Sequence, residues 1–267
     1  MKLNPTLSEW LNLLLRWFHV FAGILWIGTT YYFTWLDARL TESERGAGEE
    51  AQVWMVHSGG FYVVEKRKVP GAHPLHWFRF EALFTWLSGF ALFALVYYYG
   101  GALVDPDVTT NGKGVLVSLV ALCVSWFVYD LLVRTPLVRN ELAFALLCYA
   151  LVVAYAFGLS RYLSGRGAYL QVGATFGTIM AANVWMRILP AQRRMIAATK
   201  RGEKFDARLG AQAKQRSKHN TFMVVPTVFT MISNHFPTAT YGRSDNWLVL
   251  SVLILVGWIV AKFLRRA

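Results

Sequence analysis

The sequence predicts an all-α membrane protein: a polytopic bundle of about seven transmembrane helices, N-terminus out and C-terminus in. Three observations predict it. Of 267 residues, 55% are hydrophobic and only 16% are charged, against roughly 25% charged in a soluble domain. The apolar residues fall into blocks of about 20, the length that crosses a bilayer core. Phe, Trp and Tyr make up 15% of the chain, and many sit at block ends, where aromatic belts form.

Seven blocks follow in order: 13–36, 78–100, 114–133, 141–160, 168–189, 219–236 and 246–264. The sixth is short and holds Pro226, which a membrane helix tolerates when neighbours satisfy the freed carbonyl. Gly173 and Gly177 form a GxxxG in the fifth, a spacing that lets helices pack closely. The basic residues set the direction. Arg39, Arg45, Lys66, Arg67, Lys68 and Arg79 follow the first block, and a dense basic run from Arg187 to Lys218 follows the fifth. The second connection holds only Lys113, and only Lys2 precedes Glu9. The positive-inside rule therefore places the first and fifth connections in the cytoplasm.

Both of these connections are long. Residues 37–77 contain HSGGFYVVEKRKVPGAHP, whose Gly pair and prolines predict an ordered turn. Residues 190–218 are rich in Ala, Arg and Lys and predict a helix lying on the cytoplasmic surface. The whole of 1–267 reads as one transmembrane domain.

Composition also excludes chemistry. The net charge of +12 belongs to cytoplasmic loops rather than to a nucleic-acid surface. Cys123 and Cys148 lie inside apolar blocks and read as buried free thiols. No C-x-x-C-H is present, so no covalent haem c is expected. The chain has no G-x-G-x-x-G after a strand, no P-loop, no H-E-x-x-H and no G-x-S-x-G. Flavin, NAD and nucleotide-driven transport are not indicated.

Polar groups inside a membrane are costly and mark candidate sites. Arg16, Asp37, Glu81, Asp130, Asn183 and Asn234 are such groups, although most lie near block ends, where snorkelling or capping suffices. Glu81 has two readings: a carboxylate favoured by the N-terminal helix dipole, or a partner that orients a histidine. The histidines are more informative. His19 lies in the outer part of the first block and His235 at the outer end of the sixth. His76 and His219 lie at the inner ends of the second and sixth. His219 and His235 are about 24 Å apart along one helix at 1.5 Å per residue. This layout predicts b-type haem, one or two groups, ligated by His19 with His235 and by His76 or His57 with His219. Gly23 would leave room for a macrocycle. His73 reads as an interfacial histidine.

The segments RWFHVFAGILWIGTTYYF, VHSGGFYVVEKRKVP, LHWFRFEALFTWLSGFAL and SKHNTFMVVPTVFTMISNHFP resemble the transmembrane domain of bacterial membrane-bound urate oxidases (urate hydroxylases). The resemblance runs from about residue 10 to the C-terminus. It implies oxidation of urate to 5-hydroxyisourate in the bacterial cytoplasmic membrane, as part of purine degradation, with electrons passed to the respiratory chain. Members of the family typically carry a C-terminal cytochrome c domain. This sequence ends at Ala267 without one, so a separate cytochrome c or a quinone is the expected acceptor. Urate is a flat anion and needs cationic and amide donors with an aromatic wall. His57, Phe61, Tyr62, Lys66, Arg79, Gln192 and Asn220 supply such groups, with His57 and Glu81 as the catalytic candidates. The rival functions are a purine or small-anion transporter and a non-catalytic haem-bearing subunit of a respiratory complex.

Overall fold

The computed structural model describes residues 3–47, 52–67, 75–204 and 206–265. Lys2, Lys68, His73 and Arg266 lie outside the described residues. Among the described residues, seven helical rods and one β-hairpin make up the fold.

Helix α1 (Pro5–Ala47) has 43 residues, about 65 Å at 1.5 Å per residue. That is twice a bilayer core, so its inner end projects beyond the membrane. There the expected turn in 37–77 is a two-stranded hairpin, β1 (Gln52–His57) and β2 (Gly60–Glu65). Its two-residue connection has positive φ at Ser58 and Gly59, the signature of a type I′ hairpin turn. Val53 and Val64 pack on Leu36 and Leu40 of α1. Asp37 accepts from Lys66 at 2.7 Å and pairs with Lys214 at 2.6 Å.

Four rods match the predicted spans: α2 (Phe80–Phe93, continued by a π-turn over Ala94–Tyr99), α3 (Asn111–Arg134), α4 (Glu141–Ser160) and α8 (Asn246–Leu264). The fifth rod is longer than its span. It consists of α5 (Gly165–Ala182), a π-turn (Asn183–Ile188) and α6 (Leu189–Lys200). Side chains fix the starts: Asn140 accepts from the Ala143 amide and Ser164 from the Gly167 amide, the usual N-cap bonds.

Two expectations need correction. Residues 190–218 do not form one surface helix. The fifth rod runs on to Lys200, and α7 (Ala207–Ile232) starts back after a short turn. Arg201 bonds Glu203 in that turn and holds its carboxyl below the ordinary pKa. The continuation is favoured because Ala, Arg and Lys are strong helix formers, and Pro190 stands in the first turn of α6, where its missing N–H is tolerated. The second correction concerns the cysteines. Cys123 is exposed and Cys148 half-buried, because α3 and α4 turn one face outward.

Among the described residues, six helices are long and apolar enough to cross a membrane. Rod α7 is the exception among the seven. Its N-terminal half is polar, yet Asn220, Thr221, Met223, Val224, Pro226, Thr227 and Thr230 are buried. It packs between α5 and α8, so protein rather than lipid covers it. A Cβ on Gly257 of α8 would stand 3.0 Å from the Pro226 ring, so the two helices meet at these residues. A Cβ on Gly173 would stand 2.1 Å from Thr230 Oγ1 of α7, whereas Gly177 faces open space. Only the first glycine of the GxxxG carries the contact.

Candidate functional site

The most polar part of the interior lies where α3, the π-turn and the inner half of α7 meet. Asp130 of α3 is 4% exposed. Arg187 donates to it through Nε at 2.8 Å and Arg216 through Nη2 at 2.7 Å, and Arg134, one turn along α3, makes a third ion pair. Arg216 also donates to Asn183 Oδ1 at 3.2 Å. Asn183 Nδ2 donates to Asn220 Oδ1 at 2.9 Å and to the Tyr129 hydroxyl at 3.0 Å. Tyr129 and His219 Nδ1 share a hydrogen bond of 2.9 Å. The His219 ring stacks on Phe144 with centroids 5.2 Å apart. An ionic centre is thus joined to an imidazole through an amide pair and a phenol.

The π-turn supports this arrangement. Asn183 begins it and Arg187 lies within it. An extra residue in one turn rotates everything after it by roughly 100°. A backbone of this kind is frequent at functional sites. Beside the network opens a cleft of 510 Å³, lined by Arg134, Arg139, Arg187, Arg216, Gln212 and Gln215.

The predicted substrate residues are not gathered at one place. His57 is at the exposed hairpin tip, where its Nδ1 bonds the Ser58 hydroxyl at 2.9 Å. Phe61 is 83% exposed and Tyr62 is 50% exposed. Lys66 is committed to Asp37. The Arg79 guanidinium lies over Phe80, 4.9 Å from its centroid. His76 and Gln192 do come together, in a small groove of 230 Å³ with Trp77 and Met195. Asn220 belongs to the buried network instead. Glu81 sits in the first turn of α2. Its Oε2 and the Arg79 Nε are buried without a hydrogen-bond partner among the described residues.

The haem expectation can be tested on the histidines. His19 Nδ1 lies 2.9 Å from the Thr85 carbonyl and 3.2 Å from Ser88 Oγ. That bond fixes the Nδ1–H tautomer and leaves Nε2 free, the usual state of a metal-ligating imidazole. Gly89 lies flush against the ring: a Cβ there would stand 2.7 Å from His19 Cε1. His19 thus has the tautomer that holding a metal would require. Its expected partner does not stand opposite. Asn234, next to His235, accepts from the Tyr97 hydroxyl, and Tyr97 is about 13 Å further along the α2 rod than Ser88. Two imidazoles on one metal need nitrogens about 4 Å apart, twice a bond of about 2 Å. On the inner side, the His219 ring faces α3 and α4, while His76 faces α6. The space beside Gly23 is closed by Thr85 of α2 at 3.9 Å. None of these contacts brings two of the histidines together, and no step is derived through haem.

A multi-helix membrane bundle with a buried ionic network under a basic cleft is the class this architecture defines. The model of the urate oxidase N-terminal family matches residues 5–267, and the chain belongs to that family. No curated protein and no solved structure matches it.

The sequence named Asp130, Asn183 and Asn220 individually but not as one cluster. Tyr129, Arg187 and Arg216 were missed as site residues. The available signal was depth: Asp130, Asn183 and Asn220 lie at the same end of three different predicted spans.

Proposed function

We propose that the protein is a bacterial cytoplasmic-membrane oxidoreductase acting on urate or a closely related purine. The substrate and one water give the ring-hydroxylated product, two protons and two electrons. The electrons pass to a quinone or a separate cytochrome c. His19 would be the residue to hold a b-type haem, which when bound would supply one-electron chemistry.

Family membership supports the substrate class. The observation that carries the site is the Asp130–Arg216–Asn183–Tyr129–His219 network. Ionisable groups this far inside a bundle are expensive and are kept for function. In this reading Tyr129 and His219 hold one proton between them and accept a proton released from the substrate or water. Asn183 orients the phenol, and Phe144 keeps the imidazole in plane.

Anaerobic addition of urate to the purified protein with a soluble quinone should yield the hydroxylated product and reduced quinone. His219→Ala should lower kcat about a hundredfold while thermal unfolding stays within a few degrees of the wild type. A b-type absorbance band should be present and should be lost in His19→Ala. Wild-type protein that neither turns over urate nor shows that band would sink the reading.

A further inference from the structure

The cleft beside the network is more basic than its carboxylate can balance. Asp130 offers two oxygens to Arg134, Arg187 and Arg216. Arg139, on the same cleft, has no partner among the described residues. A guanidinium carries five N–H donors. Arg134 spends one nitrogen on Asp130, so most of its donors remain for a ligand. The volume of 510 Å³ lies within the 300–1,000 Å³ of small-molecule sites. Gln212 and Gln215 add amide groups on one side, and Val133 and Val138 add apolar wall.

We propose that this cleft binds the planar organic anion on which the enzyme acts. The inference deepens the reading above and rests on its substrate class. A deprotonated purine presents an edge of carbonyl and anionic acceptors that guanidinium forks match in pairs. Its ring N–H groups need acceptors, which the Gln212 and Gln215 carbonyls provide. Its flat faces suit aliphatic wall and guanidinium planes. A phosphate group would use the arginines but leave the amide acceptors without work. The cleft also explains why Arg187 and Arg216 are shared. They hold Asp130 on one side and border the ligand on the other, so an anion arriving there perturbs the chain that leads to His219.

Arg139 is the residue to test, because it is exposed and has no hydrogen bond or ion pair among the described residues. Urate binding to the full chain in lipid nanodiscs is measured by tryptophan fluorescence, alongside inorganic phosphate, a neutral methylated purine and anionic against neutral lipid. Arg139→Ala should weaken urate binding about tenfold or more, and Arg139→Glu further, with unchanged thermal unfolding. Affinity should fall with salt, and the neutral purine should bind poorly. The proposal is overturned if urate binds equally to all three proteins, or does not bind. It is also overturned if phosphate or anionic lipid binds in an Arg139-dependent way and excludes urate. Binding without turnover would leave this inference standing and remove the oxidoreductase reading. Turnover whose KM ignores Arg139 would do the reverse.

Discussion

Asp130→Ala is expected to destabilise the bundle by about 3–5 kcal/mol, the cost of leaving a buried charge without its partner. Arg216 is almost as buried as the carboxylate: their side chains are 7% and 6% exposed. Removal of Asp130 leaves Arg134, Arg187 and Arg216 facing one another with no counter-charge. The unfolding midpoint in detergent should fall by roughly 10 °C. Asp130→Asn should cost less, since it keeps an acceptor for Arg187 and Arg216. The double variant Asp130→Ala, Arg216→Met should recover much of the loss, because an apolar replacement of the pair removes both desolvation penalties. A midpoint unchanged in Asp130→Ala would show that the three arginines are already neutralised by solvent or another group.

Gly173→Leu should cost about 3 kcal/mol or more by forcing the two central helices apart. The first atom added to Gly173 would meet Thr230 Oγ1 at 2.1 Å. Thr230 cannot step aside cheaply: it is 0% exposed, and its hydroxyl donates to the Thr227 carbonyl at 2.8 Å. Gly177→Ala is the control. Nothing lies within 4 Å of a Cβ there, so the variant should be neutral or gain up to about 1 kcal/mol of helix propensity. Thr230→Ala in the Gly173→Ala background should restore part of the loss. Equal effects at the two glycines in thermal unfolding would contradict this packing.

Both predictions concern places where the sequence gives a weak signal, and the reason is the same. Hydropathy reports the lipid-facing surface. The rod of α5 and α6 is the least apolar of the six candidate spans. In that rod 56% of the apolar window is buried inside the protein. A helix covered by other helices can carry Asn183, Gln171 or Thr175 without facing lipid. The polar half of α7 is legible only once α5 and α8 are seen to flank its span. The histidines illustrate the opposite error. Their depths are readable from sequence, but facing depends on helix rotation. His19 turns to Ser88 and Gly89, and His219 turns to Tyr129 and Phe144.

The sequence by itself determined the seven helical segments, an ordered turn at the Gly59–Gly60 pair and the family. These are local or compositional properties, set by length, polarity and motif. The tertiary structure alone decided which polar groups meet. Asp130, Asn183, Arg187, Arg216 and His219 come from three separate rods. Their assembly depends on a π-turn and on the rotation of each helix about its axis, neither of which hydropathy encodes.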